Sequence, residues 1–166
     1  MKIGVISDTH DNKDNIIYFV EKFIEEKVDT VFHCGDVVAP FVTPWFKKLT
    51  DAGIKLYMVF GNNDGELLGL KKIFGEICQI KGDFFETELD SKKIVVFHHL
   101  SPSMVESLAR SGSYDLVLKG HTHQLFEQRI GSTLILNPGE ACGYLTGKAT
   151  IAIVDLNDMS VKFLEK

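Results

Sequence analysis

The sequence predicts a mixed α/β fold with an antiparallel extension, and two patterns favour it. Over the first two-thirds of the chain, short β-branched or aromatic runs alternate with longer amphipathic stretches, which is typical of βαβ units. The last third shows strand-like runs separated by turn residues, which is typical of antiparallel hairpins. Because the 166 residues contain no internal repeat or linker-like stretch, we expect a single domain over residues 1–166.

Five strands are predicted in the α/β part, because its compact apolar runs are too short for helices and suit strands buried on both faces. These runs are Ile3–Ser7, Thr30–Cys34, Leu56–Phe60, Ile94–Phe97 and Leu116–Leu118. In the last third, turn residues separate four hairpin strands. These strands are predicted at Leu125–Ile130, Thr133–Leu136, Ala149–Asp155 and Ser160–Leu164.

Four helices are predicted between the strands, at Asn12–Lys27, Phe41–Thr50, Glu66–Gly75 and Pro102–Gly112. In the first of them, apolar residues recur at three- and four-residue steps and form one stripe that can pack on a sheet. Asn12 or Asp14 is a suitable N-cap for this helix.

Charge and cysteine content disfavour several classes of protein. The chain has 18 basic and 23 acidic residues, and the net charge of −5 repels a nucleic-acid backbone. Cys34, Cys78 and Cys142 form no C-x-x-C pair, so neither a disulfide framework nor a thiolate metal site is indicated, and a reducing cytoplasm fits best. No segment approaches the roughly 20 apolar residues that span a bilayer, so we expect no membrane association.

Each predicted strand of the α/β part ends in a polar cluster instead of a generic turn. The clusters are Asp8 with His10, Gly35-Asp36, Gly61-Asn62-Asn63-Asp64, His98-His99 and Gly120-His121-Thr122-His123. Since ligands of open α/β sheets bind beyond the carboxyl ends of the strands, we expect these clusters to meet at one site. A glycine directly precedes three of the candidate ligands, where it would let the backbone turn sharply.

The side chains of these clusters offer oxygen and nitrogen donors and no sulfur. Such donors suit manganese, iron, zinc, cobalt or nickel, and we expect manganese first. Seven donors are too many for one catalytic ion but suit two divalent ions that share a carboxylate. They come from Asp8, His10, Asp36, Asn62, His98, His121 and His123.

These motifs, in this order and with this spacing, resemble the calcineurin-like metallophosphoesterase superfamily. More closely, the short chain is similar to the small prokaryotic phosphodiesterases of that superfamily. The resemblance covers residues 3 to about 139 and includes Asn137-Pro138-Gly139, which looks like a loop common in the small phosphodiesterases. It implies a two-sheet sandwich flanked by helices, with the layers in the order α-β-β-α.

The resemblance also implies a dinuclear, metal-dependent phosphoric diester hydrolase. One ion would be held by Asp8, His10, Asp36 and His123, and the other by Asp36, Asn62, His98 and His121, so that Asp36 bridges the two. A hydroxide that bridges the ions would attack the phosphorus of a small or nucleotide-like phosphodiester in line. The residues expected at the reacting phosphate are Asp36, Asn62, His98 and His99.

Two positions depart from the family pattern. Asn63 stands where larger members of the family carry a histidine that protonates the leaving group, and an amide cannot replace that acid. His99-Leu100 stands where a Gly-His pair is more usual, so His99 either supplies the missing acid or faces solvent. Without a positioned acid, substrates with good leaving groups should react best.

Several neighbouring residues are open to a structural interpretation. His33 lies inside a predicted strand and is interpreted as a hydrogen-bonded core imidazole. Cys34 and Cys142 are interpreted as small buried packing residues, because no pattern of charged neighbours would activate their thiols. The segment Asn137-Pro138-Gly139-Glu140 is either a simple turn or part of a phosphate pocket.

Two other functions are compatible with the motifs. One is a metal-retaining protein-interaction scaffold of the same fold. The retromer subunit that resembles this family uses the fold for protein contacts and has lost metal ligands, whereas here all seven donor positions are filled. The other is a nuclease on short oligonucleotides, which the acidic charge disfavours. A homodimer or homotetramer would also be compatible with an exposed patch at Phe41 and Trp45.

Overall fold

Two β-sheets stack face to face between two layers of helices in the computed structural model, which describes residues 1–166. The strands are β1 (Lys2–Ile6), β2 (Thr30–His33), β3 (Lys55–Met58), β4 (Gln79–Ile80), β5 (Phe84–Leu89), β6 (Lys92–Phe97), β7 (Leu116–Leu118), β8 (Leu125–Ile130), β9 (Thr133–Pro138), β10 (Thr150–Asp155) and β11 (Ser160–Glu165). The helices are α1 (Lys13–Glu25), α2 (Thr43–Asp51), α3 (Leu67–Lys72) and α4 (Pro102–Arg110). The expected α-β-β-α layer order is confirmed. None of the helices has the length and apolarity needed to cross a bilayer.

Both sheets combine parallel with antiparallel strands, and the antiparallel strands lie at both edges of the second sheet but on only one side of the first. The first sheet has the order β11-β10-β1-β2-β3-β4, and the second has the order β5-β6-β7-β9-β8. In the first sheet, the strands from β1 to β4 run parallel to one another. In the second sheet, β6, β7 and β9 run parallel. Parallel strands direct their carboxyl ends to the same edge, which is where α/β proteins place their sites.

Three apolar clusters fill the three spaces between the layers. Successive side chains of β6 alternate between two of them: Ile94 and Val96 face the first sheet, whereas Val95 and Phe97 pack with α4. On the other side of the sandwich, Phe23 of α1 belongs to the cluster between the helices and the first sheet. Burial on both faces explains why the central strands are continuous apolar runs.

The last third of the chain forms the predicted antiparallel hairpins, β8–β9 and β10–β11. Its two hairpins join different sheets, because β8 and β9 extend the second sheet while β10 and β11 extend the first. The sequence patterns also do not predict β4 and β5. Strand β4 has only two residues, and β5 is an edge strand whose exposure alternates along its length, so neither is a continuous apolar run.

The helices lie close to their predicted positions, with two differences. A 3-10 turn at Pro40–Val42 precedes α2. The predicted helix over Glu66–Gly75 is divided into α3 and a 3-10 turn at Phe74–Glu76. Two glycines within this segment lower its helix propensity, which accounts for the shorter helix.

Asn12 caps α1, as one of the two predicted choices. Its Oδ1 accepts a hydrogen bond from the backbone N–H of Asn15 at 3.2 Å. Its Nδ2 donates to the carbonyl of Cys142 at 2.9 Å. Asn12 therefore also ties the start of α1 to the segment that follows β9.

We predict that Asn12→Ala lowers the free energy of unfolding by about 1–2 kcal/mol, because it removes both the cap and the bond to Cys142. Asn12→Ser retains a capping oxygen and loses only the hydrogen bond to the Cys142 carbonyl, so its effect on the free energy of unfolding should be smaller. Urea denaturation of the two variants measures the difference. Equal stabilities for both would show that the cap contributes nothing.

Candidate metal centre

The side chains that follow five strands of the two sheets converge at one edge of the sandwich. All seven donors predicted from the sequence lie in this region, and contacts between side chains or to a shared neighbour connect them. They are Asp8 and His10 after β1, Asp36 after β2, Asn62 after β3, His98 after β6, and His121 and His123 after β7.

Asp36 joins two halves of this donor cluster. In the first half, His10 Nε2 lies 3.5 Å from Asp36 Oδ2 and 3.9 Å from Asp8 Oδ1. His123 Nε2 lies 3.3 Å from the same oxygen of Asp8. Two carboxylates and two imidazoles therefore face one another in the first half.

In the second half, His98 Nε2 faces two oxygen atoms, Asp36 Oδ2 at 3.4 Å and Asn62 Oδ1 at 3.0 Å. His98 Nδ1 lies 2.8 Å from the carbonyl of Cys34, which can only accept a hydrogen bond. Nδ1 therefore carries the proton, and in the neutral ring the Nε2 lone pair points at two acceptors. A cation, a second proton on the ring, or an Asn62 amide turned to present its NH2 group would satisfy this arrangement. His121 Nδ1 completes this half at 2.8 Å from Asn62 Oδ1.

Unsatisfied polar atoms in the first half also fit a bound cation. Asp8 Oδ1 and His10 Nε2 are buried and have no hydrogen-bond partner. Two ligand atoms bound to one ion at about 2.1 Å lie roughly 3.0–3.5 Å apart. The histidine-to-carboxylate separations of 3.3, 3.4 and 3.5 Å match that spacing. The residues present therefore fit divalent ions.

The two central carboxyl groups have opposite electrostatic behaviour. Burial raises the pKa of Asp8, and neighbouring imidazoles offset this only in part. Burial opposes ionisation of Asp36 as well, but hydrogen bonds from His98 and Asn63 outweigh it and hold its pKa well below the usual range. Although burial opposes it, contact with Asp36 raises the pKa of His98. Asp36 is therefore the firmly ionised group at the centre of the site.

Five of the seven donors have a left-handed backbone conformation. Their φ angles are 53° for Asp8, 39° for His10, 61° for Asp36, 71° for His121 and 59° for His123. Residues other than glycine rarely adopt such angles, and each instance costs of order 1 kcal/mol or more. The donor loops are therefore strained, and contacts from outside the donor set must hold them.

Asp64 provides one of these contacts, a role that the sequence pattern does not predict. Its carboxylate accepts hydrogen bonds from the backbone N–H groups of Asp36 at 3.0 Å, Val38 at 2.7 Å and Gly61 at 2.7 Å. Burial raises the pKa of Asp64, and these bonds oppose the shift. Asp64 thus ties the loop after β2 to the loop after β3. Its position in the motif after β3 is the only sequence signal that marks it.

Asn137 and Glu140 support the loop that carries His121 and His123. Asn137 Nδ2 donates to the carbonyl of Gly120 at 2.9 Å. Glu140 Oε2 accepts from His123 Nδ1 at 2.7 Å, which directs His123 Nε2 towards the donor cluster. Burial opposes ionisation of Glu140, but hydrogen bonds from neighbours that include His123 lower its pKa to about 2. The interpretation of this segment as a simple turn is wrong, because it orients a candidate ligand.

Gly61 and Gly120 are required for space, not for a sharp turn. A Cβ atom on Gly120 would lie 2.0 Å from Ser7 Oγ, and one on Gly61 would lie 2.2 Å from Asp36 Oδ1. Neither residue has a positive φ. Of the three glycines that precede candidate ligands, only Gly35, with φ +99°, matches the expected role in turning the chain.

A cleft of about 270 Å³ opens onto the second half of the donor cluster. Exposed His99 contributes to its lining, and its ring centroid lies 4.1 Å from that of His121. Asn63 has a different role from the histidine it replaces, because its backbone and side-chain N–H groups each donate to Asp36 at 2.8 Å. The residues that line the cleft are Phe60, Gly61, Asn62, Asp83, His98, His99 and His121.

The three residues interpreted as structural, His33, Cys34 and Cys142, are all buried, and one of them does more than pack. His33 contacts Thr9 Oγ1 at 3.1 Å and accepts from the backbone N–H of Gly35 at 3.2 Å, and burial lowers its pKa to about 3. Cys142 does more than pack, because its thiol donates to Glu140 at 3.1 Å. Burial raises the pKa of this thiol to about 12, so it is protonated.

A two-sheet sandwich with carboxylate, imidazole and amide donors at its strand ends defines a class of α/β proteins whose polar loops meet at one edge. The profile of the calcineurin-like phosphoesterase superfamily domain matches residues 1–159. The chain therefore belongs to the calcineurin-like phosphoesterase superfamily.

Individual relatives agree with this assignment. Phosphodiesterase MJ0936 of Methanocaldococcus jannaschii is 43% identical over 157 residues, which are 93% of each chain. The solved structure of an archaeal phosphodiesterase has a TM-score of 0.91 and 41% identity, with both chains covered in full. Vps29 of Entamoeba histolytica has a TM-score of 0.71 at 20% identity over 100% of this chain and 98% of its own, which shows a shared fold.

We predict that Asp64→Asn destabilises the protein by about 1–3 kcal/mol, because an amide places a donor against a backbone N–H and leaves it unsatisfied. Asp83→Asn is the matched control, since Asp83 is exposed at the cleft. Its effect should stay within about 0.5 kcal/mol. Urea denaturation measures both, and an Asp64→Asn variant as stable as the control would contradict the tethering role.

Proposed function

We propose that the protein is a dinuclear metal-dependent phosphodiesterase that acts on a small or nucleotide-like phosphodiester. The observation that carries the proposal is the convergence of seven oxygen and nitrogen donors around the ionised Asp36. The name of the relative from Methanocaldococcus jannaschii supports a diester over a monoester. The cleft of about 270 Å³ favours a small substrate over a polymer.

Each half of the donor cluster would hold one ion, with Asp36 shared between them. The first ion would be held by Asp8, His10, Asp36 and His123, and the second by Asp36, Asn62, His98 and His121. When bound, such ions lower the pKa of water and neutralise charge on phosphate oxygens, which is the chemistry that ester hydrolysis needs. Oxygen and nitrogen donors suit manganese, our first candidate, and also nickel, cobalt, iron or zinc.

The protein's own residues would position the substrate and receive the leaving group. Asn62, His98 and His99 line the cleft beside the donor cluster, so a phosphodiester held there would contact them directly. Asn63 is bound to Asp36 and has no proton to give to a leaving group. His99 is the exposed imidazole of the cleft, and we assign it the role of the proton donor.

Experiments can distinguish the proposed phosphodiesterase from two alternative functions, a nuclease and a protein-interaction scaffold. A nuclease would need a basic path for a polymer, whereas the chain has a net charge of −5. A rate on a small diester that does not depend on salt would favour the phosphodiesterase. A protein-interaction scaffold would need no turnover, and failure to bind any metal would favour it.

Three further proposals concern the domain organisation, the compartment and the oligomeric state. We propose that residues 1–166 form a single domain and that the protein works in a reducing cytoplasm, in keeping with three buried free cysteines. We also propose that it self-associates as a homodimer or homotetramer.

We predict that chelation abolishes hydrolysis of an activated aryl phosphodiester and that about two equivalents of one metal ion restore it. Adding manganese, nickel, cobalt, iron and zinc separately identifies the preferred ion. Two bound ions without turnover would point to an unusual substrate and would contradict the proposed activity on simple diesters.

We predict that Asp36→Asn loses both ions and lowers kcat/KM by about a thousandfold or more, since the ions supply several kcal/mol of transition-state stabilisation. Elemental analysis gives the metal content independently of activity. Asp83→Asn serves as the matched control and should retain two ions. Full metal content in Asp36→Asn would rule out the bridging role.

We predict that His99→Asn slows substrates with poor leaving groups more than those with good ones, by roughly a hundredfold in relative rate. A series of aryl phosphodiesters with graded leaving-group pKa values measures this dependence. The same loss on every substrate would show that His99 contributes to binding and not to proton transfer.

A further inference from the structure

Strand β8 is an exposed edge of the second sheet. It pairs only with β9, and the five residues from Leu125 to Arg129 are all exposed. Leu125 and Phe126 are 48% and 38% exposed, although both are large apolar side chains. A long, exposed edge strand with apolar residues is a template for pairing with another strand.

The backbone of β8 directs its unpaired groups away from the sheet at two positions. In β9, the N–H of Leu134 donates to Asp115 at 2.9 Å, and the carbonyl of Leu136 accepts from Lys119 at 3.0 Å, so both residues bond away from β8. Arg129 lies opposite Leu134, and Glu127 lies opposite Leu136. In an antiparallel ladder, opposed residues turn their backbone groups towards or away from each other together. Arg129 and Glu127 therefore present free N–H and carbonyl groups to solvent.

The charges of these two residues favour one register for pairing between two copies of β8. An antiparallel pair centred on Glu127 would oppose two glutamates, and one centred on Arg129 would oppose two arginines. A pair centred on Gln128 instead places Glu127 opposite the partner's Arg129, and the two-fold axis repeats that contact. Arg129 Nη2 also donates to the Met159 carbonyl of its own chain at 2.6 Å, which leaves the other guanidinium N–H groups for Glu127. This register uses the outward-facing backbone groups, as the ladder requires. Opposite charges in such cross-strand positions stabilise the pair.

The same register also pairs apolar side chains. Residues 126 and 130 lie on the face of β8 that is turned towards α4, and the register places Phe126 opposite the partner's Ile130. The ammonium group of Lys119 lies 5.1 Å from the centroid of the Phe126 ring and holds it at this edge. An aromatic side chain opposite a β-branched one is a favourable cross-strand pair.

The opposite edge of the second sheet, β5, lacks this complementarity. Its hairpin with β6 closes at the pair Leu89–Lys92 across two residues, so Glu86 and Glu88 direct their backbone groups outward. Self-pairing centred on either glutamate, or on Thr87 between them, would oppose like charges. Edge charges of this kind discourage association. Self-pairing is therefore favoured at β8 and disfavoured at β5.

We propose that two copies of the chain associate through antiparallel pairing of β8 with β8, centred on Gln128, so that the two five-stranded sheets become one continuous sheet. The proposal names the interface for self-association and does not depend on the metal centre or on the proposed activity. It relies on the free edge, the outward backbone groups, the charge pairs and the apolar pairs described above.

Charge reversal tests the interface directly, with sedimentation equilibrium of the full chain over a wide range of concentration. The wild-type protein should approach twice the chain mass of 18.6 kDa as concentration rises. Glu127→Arg and Arg129→Glu each create two like-charge contacts and should raise the dimer dissociation constant roughly tenfold or more. The double variant E127R/R129E restores opposite charges and should recover dimerisation.

Glu86→Lys, at the other edge of the same sheet, is the matched control and should not change the dissociation constant. Circular dichroism and thermal unfolding establish that every variant is folded. Recovery by the double variant distinguishes pairing from simple damage to β8, which two substitutions would worsen. A wild-type protein that stays at the monomer mass, single variants that dimerise normally, or a double variant that fails to recover would each overturn the proposal.

Discussion

The site depends on one physical constraint, which is the unfavourable burial of two carboxylates at the end of the sandwich. Asp8 and Asp36 are almost fully buried, and His10 Nε2 lies 3.9 and 3.5 Å from an oxygen of each. Removing two negative charges from water is unfavourable, and their repulsion adds to the penalty. The surrounding imidazoles and the N–H groups of Asn63 compensate part of it. Divalent cations at this position would compensate the rest, which is why the arrangement is chemically sensible as a metal centre.

The same constraint explains why residues outside the donor set matter. Donors that must point inwards from loops at the sheet edge adopt left-handed backbone angles, and their strain needs external support. Asp64, Asn137 and Glu140 supply it through hydrogen bonds to loop backbone or to a donor ring. The sheets position the loops, these three residues stabilise the conformations of the loops, and the loops direct the donor side chains towards one another. A substitution of a supporting residue would therefore disturb the geometry of the donors, although that residue is not itself a candidate ligand.

Much of this organisation can be predicted from the sequence, and the physical reason for this also explains what cannot be predicted. A strand buried on both faces is a continuous apolar run, so the central strands are predictable. Val95 and Val96 are the same residue type, although one faces α4 and the other faces the first sheet. Periodicity therefore does not predict the two-sheet arrangement, which only the family resemblance implies. Donors are recognisable by their type and their place after a strand. Glu140 is not, because its role depends on a contact with His123 that only the folded chain creates.

The fold alone does not decide between a hydrolase and a scaffold, because Vps29 shares the fold at 20% identity. The physical chemistry of the donor cluster addresses a different question, which is whether this edge of the sandwich binds cations. Two buried carboxylates, five left-handed donor residues and a His98 Nε2 that faces two oxygen atoms all lie at this one edge. Each of these features is unfavourable in the absence of a cation, and cations relieve the two electrostatic ones together. Their coexistence at one sheet edge is the physical argument for a cation site, whereas the assignment as a phosphoesterase rests on the family match and on the relative that is 43% identical.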